Sequence, residues 1–395
     1  MNILYITTSF ERKADSATIR NNAWVNGLIE IGCNVTVLTV DWPKHLKSFF
    51  LIRNNAAKVE RTLLNNLKVL NITTSSRSRR LPKWVVGFRH FVRDIIYFPD
   101  ICKPWSKQIE CNNIDEYDVV ISSSDLKSSH FAAYKLLRNR KSRIRWIQIW
   151  GDPWYTDINI GRIHKIPAKI YEKKFIKEAD AVIYVSELTK QNMQNAYPKY
   201  ADKIHYIPRG FYKSVIKQDI RSDRFSVCYT GVLSKNRSKY VIPFIEEVEK
   251  YNCTSGKKIT IDFYGDYDVE IIHTLDKFEC CNIHSHVDYE DILKLYASSG
   301  ALLFISNSSR STQVPGKLFD YMGTQLPIIC LLDEHESLLG TMLSQYEKCV
   351  VTKYDDCDGI AESLQFVINH RVHKFDINEE FSPKAIASQL VDLIS

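Results

Sequence analysis

The chain carries the run QVPGKLFDYMG at positions 313–323, and the largely apolar run PIICLL follows it at 327–332. This stretch predicts a Pro-Gly turn that opens a helix, with a buried strand after it. The start of a helix leaves backbone N–H groups unpaired and suits an anion such as a diphosphate. Lys317 adds a positive charge there, and Asp320, one turn further on, could accept hydrogen bonds from a ribose diol. An ordinary turn and amphipathic helix is the alternative for this segment alone.

Runs typical of strands and runs typical of helices alternate along the whole chain, and the alternation restarts after a polar stretch at 213–224. Such alternation predicts a parallel sheet with helices on both faces. We therefore expect an α/β protein with two doubly wound, Rossmann-like domains that face a central cleft. The first would span 1–212, with an irregular, basic insertion at about 41–115, and the second 213–380. A C-terminal helix at 381–395 could cross back to the first domain.

Bulk composition narrows the class of protein. The chain has 395 residues, 45% of them hydrophobic, which is enough for two packed domains. Its ten Cys form no C-x-x-C pair, so neither a zinc site nor a dithiol redox site is expected. No apolar run approaches the ~18 residues of a membrane-spanning helix. The first residues, MNILY, are typical of a strand and lack the basic start of a signal peptide. These features predict a cytoplasmic protein.

Charge is concentrated in one segment. The chain has a net charge of +7, and residues 41–100 hold twelve Lys and Arg against four Asp and Glu, a balance of +8. A cationic patch suggests an anionic partner, which could be a membrane, a lipid pyrophosphate or nucleic acid. A solvated basic face is the alternative. An apolar stripe over Leu81–Phe98 fits either a core helix or a helix lying on a membrane. Without an RNA or DNA module, we expect no nucleic acid and favour peripheral attachment to the inner face of the cell membrane.

Two further segments of the second half predict ligand contacts. The run GVLSKNR at 231–237 follows a predicted strand, and a glycine there lets a ligand approach the backbone closely. Arg237 could then hold a phosphate with its planar fork, opposite Lys317, although a surface arginine is the alternative. Gly265 ends another predicted strand, and the run HSHVD at 284–288 precedes a helix. The two histidines of that run have no acidic cluster beside them, so no metal is predicted.

In the first half, the run WIQIWGDPW at 146–154 is an apolar strand that leads into a turn. This pattern places Asp152 at the carboxyl end of a sheet, where Trp154 would join the acceptor side. His130 lies six residues beyond the SSS run at 122–124 and is either a site residue or a structural histidine whose hydrogen bonds are satisfied.

The turn after the first strand holds Thr18 and Arg20. Arg20 could meet an anionic acceptor, and pairing with Asp15 is an equal alternative. Thr18 is the second residue that we predict on the acceptor side.

Several of these segments resemble motifs of family 4 glycosyltransferases, in the same order along the chain: the DPW turn, IPRG at 207–210, GVLSKNR, and VPGKLFDY at 314–321. The resemblance implies a GT-B fold and retaining transfer from a nucleotide sugar, with electrostatic stabilisation of the leaving diphosphate and no required cofactor. The donor-binding residues that it implies are Arg237, Gly316, Lys317, Asp320, Thr312, Gly265, His286 and Val287.

The chain departs from the family pattern at four positions. Asp320 stands where the family has Glu, and Thr312 where it often has an earlier Glu. Arg209 takes the place of Asn, and Gly151 takes the place of the Arg in an Arg-Asp-Pro-Trp element.

The sequence thus predicts a hexosyltransferase that moves a sugar from a nucleotide sugar to a glycan or lipid-linked glycan in bacterial surface polysaccharide synthesis. The catalytic residues that we predict are Asp152, His130, Arg237 and Lys317. Two alternatives remain open: a GT-B sugar-nucleotide epimerase, and a catalytically silent GT-B partner subunit. Without the resemblance, the residues predict only a two-domain α/β protein with an anion site.

Overall fold

The computed structural model describes residues 1–13, 16–63, 98–138, 144–157, 160–219, 224–233, 235–256, 258–307, 312–334 and 336–394, with the backbone alone at 63, 224 and 235–237. These residues form two compact units. Unit 1 is Met1–Pro208 with Ile386–Ser395, and unit 2 is Arg209–Ala385. The division falls four residues before the boundary expected from the polar stretch.

Unit 1 is a seven-stranded parallel sheet in the order β3-β2-β1-β4-β5-β6-β7. Its strands are β1 (Asn2–Thr7), β2 (Asn34–Asp41), β3 (Lys58–Leu63), β4 (Val119–Ser123), β5 (Arg145–Trp150), β6 (Ala181–Tyr184) and β7 (Ile204–Tyr206). Its helices are α1 (Ser16–Glu30), α2 (Phe49–Arg53), α3 (Lys103–Gln108), α4 (Ser128–Leu137), α5 (Lys165–Glu178) and α6 (Glu187–Ala196). The central strands are buried and largely apolar because helices cover both faces of a parallel sheet.

Unit 2 repeats this architecture with a six-stranded parallel sheet in the order β10-β9-β8-β11-β12-β13. Its strands are β8 (Arg224–Thr230), β9 (Lys258–Tyr264), β10 (Cys281–His284), β11 (Ala301–Ile305), β12 (Ile328–Leu332) and β13 (Cys349–Lys353). Its helices are α7 (Lys235–Ser255), α8 (Val269–Leu275), α9 (Tyr289–Ser298), α10 (Lys317–Met322), α11 (Leu338–Leu343) and α12 (Cys357–Asn369). The prediction of two doubly wound, Rossmann-like sheets is confirmed.

The final helix, α13 (Pro383–Ile394), begins in unit 2 and ends in unit 1. Its buried residues Ile386, Ala387 and Leu390 pack in the core of unit 1 with α1 residues such as Trp24. The chain therefore returns to the first unit at its end.

The basic insertion is more regular than the sequence suggested. Within 41–115, β3 pairs in parallel with β2 and extends the sheet, so the prediction of an irregular segment was wrong there. The alternation Lys-Val-Glu-Arg-Thr-Leu in β3 fits an edge strand, which is less apolar than the central ones. The apolar stripe predicted over Leu81–Phe98 lies outside the described residues except for Phe98. Among the helices that the structure describes, none is long and apolar enough to cross a membrane.

Candidate functional site

In unit 2, Lys317 is the first residue of α10 and places a positive charge at the carboxyl end of the sheet. Its Nζ donates to the carbonyl oxygen of Thr230, the last residue of β8, and lies 4.3 Å from the centre of the Tyr229 ring. The chain then turns at Gly231, whose φ of +112° favours glycine. A Cβ at this position would overlap Nζ of Lys317. Glycine at 231 therefore leaves the space that the ammonium group occupies, at the carboxyl end of the sheet.

Two neighbouring strands end close to the same turn. Gly231 N donates to the Tyr264 carbonyl oxygen at 2.7 Å, and a Cβ on Gly265 would overlap the Gly231 carbonyl group. The Tyr264 ring stacks on the His284 ring, with 4.3 Å between centres and 11° between planes. Just beyond β10, His286 is exposed and Val287 is half-buried. The strand ends that carry the predicted donor-binding residues Gly265, His286 and Val287 thus lie beside the Lys317 turn.

The helix that follows this turn is short. α10 has only six residues, and the amides of Leu318 and Phe319 already donate to the carbonyl oxygens of Pro315 and Gly316 at 3.0 and 3.1 Å. A turn this short contributes little macrodipole. The positive potential here rests on the Lys317 ammonium more than on the helix start.

Asp320 lies in a buried polar network. It is 9% exposed, and its two oxygens accept hydrogen bonds from Arg209 Nη1 and the Tyr289 hydroxyl, each at 3.1 Å. Arg209 Nη1 also donates to the Gly316 carbonyl oxygen. Burial raises the pKa of the Asp320 carboxyl, and the Arg209 guanidinium opposes that rise. Both oxygens already have partners, so a ribose contact by Asp320 would have to be shared with this network, and it remains a prediction.

The network brings into contact two positions at which the chain departs from the family pattern, Arg209 and Asp320. The shorter carboxylate at 320 and the arginine at 209 contact each other directly. Sequence reasoning considered the two positions separately and missed Tyr289 altogether. Nothing in the spacing of 111 residues between Arg209 and Asp320 announces their contact.

The remaining donor residues are only partly described. Arg237 lies in the first turn of α7 and not in the loop that the sequence suggested, and its side chain lies outside the described part of the chain. Thr312 is half-buried, shortly before the Pro-Gly turn. Their contacts with a donor remain predictions.

In unit 1, a second charged cluster lies at the carboxyl ends of β1, β4 and β5. The Arg20 side chain is 3% exposed, and its Nη1 lies 3.8 Å from Asp125 Oδ2. A Cβ at Gly151 would overlap Nη1 and lie 2.8 Å from the same carboxylate oxygen. Arg20 thus occupies the space beside residue 151 that any side chain there would need. Its predicted alternative partner, Asp15, lies outside the described residues.

Lys127 and Asp152 border this cluster. Lys127 Nζ donates to the Asp152 carbonyl oxygen at 3.0 Å and lies 3.7 Å from Asp125 Oδ1. Burial, with the nearby Asp125 carboxylate, raises the pKa of Asp152 to about 6. A carboxyl group with such a pKa is shared between its protonated and ionised forms near neutral pH, which is what proton transfer requires.

His130 is fully buried in α4. Its Nδ1 lies 2.8 Å from the Ser122 hydroxyl, and its ring stacks on Trp150 with 4.2 Å between centres. Burial lowers the pKa of His130 well below the ordinary value, and Lys127 and Arg20 lower it further. The ring is therefore neutral and does not reach the surface. Burial and stacking fit a structural histidine, but its buried Nε2 has no hydrogen-bond partner among the described residues, so its hydrogen bonds are not all satisfied. A catalytic role for it stays a prediction.

Asp100, from the run YFPD at 97–100, caps the start of the helix that carries His130. Its carboxylate accepts hydrogen bonds from the Ser128 amide and hydroxyl at 2.8 and 2.7 Å, and from the Cys102 amide at 2.9 Å. It therefore satisfies one of the unpaired donors at the start of α4.

The two other residues of the predicted acceptor side are buried. Thr18 is fully buried in α1, and Trp154 packs in the core with its ring stacked on Phe98 at 5.4 Å. The Trp154 amide donates to Glu172, which also accepts from Tyr197 and was not singled out from the sequence. These contacts support a role for Trp154 in shaping the Asp152 turn.

A metal site would need several ligand side chains close together. In the described ranges, no group of three or more His, Cys, Asp or Glu side chains is placed to hold a metal ion.

Comparison with known proteins adds independent findings. The family model described as Glycosyltransferase Family 4 matches residues 23–213. Among solved structures, TarM superposes with a TM-score of 0.65 at 10% identity, covering 100% of this chain and 98% of that chain. An alpha-glucosyltransferase solved with UDP and DNA has a TM-score of 0.59 at 12% identity, with coverage of 100% and 99%. A putative UDP-N-acetylglucosamine 2-epimerase from Listeria monocytogenes has a TM-score of 0.57 at 11% identity, with coverage of 100% and 95%. No curated protein matches the chain in sequence.

The two units, with their parallel sheets, have the GT-B architecture, and the sheet of unit 1 lies largely within the residues that the family model matches. The chain has the GT-B fold, and its residues 23–213 are similar to family 4 glycosyltransferases.

Proposed function

We propose that the protein transfers a hexosyl group, with retention of configuration, from a nucleotide sugar to a glycan or lipid-linked glycan in bacterial surface polysaccharide synthesis. Unit 2 holds the donor and unit 1 the acceptor. The observation that carries the donor half is the position of Lys317 at the carboxyl end of β8, in the space left by Gly231. Solved structures of similar fold support a nucleotide donor, since an alpha-glucosyltransferase and an S. aureus TarM variant were each determined with UDP.

The chemistry follows from the charges. As the glycosidic bond to the diphosphate breaks, negative charge grows on the leaving group, and fixed cations beside it stabilise the transition state. Lys317 supplies one such charge. Its contacts include a neutral carbonyl group and a ring face, and a diphosphate would offer the ammonium group a stronger contact than either of these. Arg237 supplies a second, as the sequence suggests, and the mechanism requires no metal or other cofactor.

The acceptor half rests on the cluster in unit 1. Asp152 lies in the middle of the Trp-Gly-Asp-Pro-Trp turn, and its raised pKa suits a group that orients an acceptor hydroxyl or exchanges a proton with it. Arg20 and Lys127 add positive charge to the same strand ends. The S. aureus TarM variant was solved with alpha-GlcNAc-glycerol, which supports a glycan acceptor for this fold.

We also propose that the protein works in the cytoplasm, peripherally attached to an anionic membrane. Two isoleucines on α5, Ile166 and Ile170, are 73% and 60% exposed, and Lys165 and Lys169 flank them. A cavity of about 450 Å³, lined by aromatic and basic side chains such as Tyr171 and Lys174, begins on the same helix. Exposed apolar side chains among lysines suit the interface of an anionic bilayer.

A ligand screen tests the proposal. A nucleotide sugar that binds the native state raises the melting temperature, so UDP, GDP, TDP and CDP sugars should separate into one stabilising class and three weaker ones. The stabilising donor is then incubated with candidate glycan acceptors, and the anomeric configuration of the product is read by NMR. A product of inverted configuration, or no stabilisation by any donor, would contradict the proposal.

The same donor incubated without acceptor separates the epimerase alternative. A glycosyltransferase releases at most slow hydrolysis products, whereas an epimerase converts the nucleotide sugar to its epimer. If the epimer forms without acceptor as fast as the donor is consumed when acceptor is present, the epimerase alternative replaces our proposal.

A further inference from the structure

One charged group in unit 1 has an unused hydrogen-bonding edge. Arg20 is almost completely buried, yet its Nε and Nη2 have no hydrogen-bond partner among the described residues. These two nitrogens form one edge of the guanidinium plane. Within the same described part of the chain, its ion pair is the loose contact of 3.8 Å between Nη1 and Asp125. A buried cation with unsatisfied donors is destabilising, so we expect this edge to bind a partner.

Another arginine of unit 1 shows what this edge does when it is occupied. Arg61 Nε and Nη2 donate to the two oxygens of Glu11 at 2.9 and 2.6 Å. This side-on, two-bond arrangement matches a group with two oxygens in one plane, which is the geometry of carboxylates and phosphates. At Arg20 the corresponding atoms, Nε and Nη2, have no such carboxylate partner among the described residues.

A second cation lies beside Arg20. Lys127 adds a second positive charge and, through its contact with the Asp152 carbonyl oxygen, stays beside the same turn. Asp125 contacts both cations at 3.7 Å or more, and its side chain is 41% exposed. Because these ion pairs are loose, an incoming anion can replace Asp125 without breaking a strong contact.

Gly151 keeps the guanidinium in place. A Cβ there would overlap Nη1 of Arg20, so the absence of a side chain at 151 and the position of Arg20 depend on each other. This dependence explains why glycine occupies the middle of a turn between Trp150 and Asp152.

We propose that Arg20 and Lys127 form a binding site for a phosphate group at the carboxyl ends of β1, β4 and β5, and that this phosphate is part of the acceptor. The assignment to the acceptor rests on the proposed function, whereas the phosphate site itself rests on unit 1 alone. The acceptor would then be a phosphorylated glycan or a glycan linked to a lipid phosphate. Because Nε and Nη2 are shielded from solvent, entry of a phosphate requires local movement of side chains.

Calorimetry on the full chain with inorganic phosphate tests the site, with a saturating nucleoside diphosphate present so that the donor site is filled. We expect phosphate to bind, and the affinity to fall at least tenfold in Arg20→Gln and in Gly151→Ala, whose Cβ displaces the guanidinium. Gly161→Ala and Lys173→Gln are matched controls in unit 1, since the nearest atom to a Cβ at 161 is 3.9 Å away and Lys173 is exposed. Neither control should change the affinity. Asp125→Asn should raise it, because it removes the competing negative charge.

Unchanged phosphate affinity in folded Arg20→Gln would overturn the site, and so would a fall in affinity in Asp125→Asn. A crystal structure with phosphate that shows only water on Nε and Nη2 would do the same. Acetate should bind at least tenfold more weakly, and equal binding would overturn the assignment to phosphate. In the transfer assay, phosphate should compete with the acceptor and not with the donor. Phosphate binding without any transfer activity would remove the proposed function and leave the site standing.

Discussion

Glycines at strand ends position the cations of both units. In unit 2, Gly231 leaves the space that Lys317 Nζ occupies, and in unit 1, Gly151 leaves the space of the Arg20 guanidinium. The sequence alone suggested a close approach of backbone and ligand at the first glycine. It could not show that the neighbour is a side chain from another part of the chain, since 86 positions separate Gly231 from Lys317.

This residue-scale contact gives a direct prediction. Gly231→Ala should weaken nucleoside diphosphate binding about as much as Lys317→Ala, because the new Cβ displaces the ammonium group. The variant also carries strain from its positive φ. Gly256→Ala is the control, since Gly256 has φ +65° and nothing within 4 Å of a Cβ, so it isolates the backbone strain. If Gly231→Ala binds the nucleoside diphosphate as tightly as Gly256→Ala in calorimetry, the predicted effect of Gly231 on Lys317 is contradicted.

Asp152 predicts a pH-dependent stability. Its pKa is about 6 in the folded protein, against about 3.9 in an unfolded chain. Folding thus favours the protonated form, so this contribution to stability is present below pH 4 and is lost as the pH rises through 6. Asp152→Asn cannot ionise and should be more stable than wild type at pH 8, by up to about 3 kcal/mol.

Urea unfolding at pH 4 and pH 8 measures this difference, and the gap should close toward pH 4. Asp202→Asn, which changes an exposed aspartate of the same unit, is the control and should show no such trend. A variant that is less stable than wild type at pH 8 would contradict the account of Asp152.

At the scale of elements, the sequence predicted most of the strands because buried parallel strands are continuous apolar runs. It missed β3 and β10, both at sheet edges, where one side of the strand lacks a neighbour and the apolar pattern weakens. It placed the start of α10 at Lys317 correctly but overestimated the anion-binding power of a helix only six residues long. Its placement of Arg237 in a loop was wrong, since α7 begins two residues earlier.

The network of Arg209, Asp320 and Tyr289 connects elements that are distant in sequence. Arg209 connects the segment at 207–210 to both the turn and the first helical turn of α10. Removing one partner of a buried ion pair leaves an unpaired charge, at a cost of about 3–5 kcal/mol. We therefore expect Arg209→Ala to destabilise unit 2 by that amount, measured by chemical denaturation.

The double variant Arg209→Ala/Asp320→Ala provides the control. It should lose less stability than the sum of the two single variants, because no charge remains unpaired. Strict additivity would show that the pair is not coupled in solution.

At the scale of the whole molecule, we expect attachment to anionic vesicles. The protein should co-sediment with phosphatidylglycerol-containing vesicles at low salt and detach at high salt, since surface electrostatic attraction is screened. Ile166→Ser/Ile170→Ser should reduce sedimentation, because the two side chains are the exposed apolar part of α5. Val372→Ser, which removes a side chain 75% exposed in unit 2, is the matched control. Equal sedimentation with neutral and anionic vesicles would contradict this prediction.

The central claim is that unit 2 binds the diphosphate of a nucleotide sugar at Lys317. Calorimetry with UDP, GDP, TDP and CDP on wild type and Lys317→Ala tests it most directly. Loss of one hydrogen bond to a charged group should weaken the best nucleotide by about 1.5–3 kcal/mol, roughly 10- to 150-fold. Lys294→Ala, which removes an exposed lysine paired with Asp291, should bind like wild type. The account predicts weak binding by folded Lys317→Ala alone, and it is contradicted if that variant binds like wild type or if wild type binds none of the four.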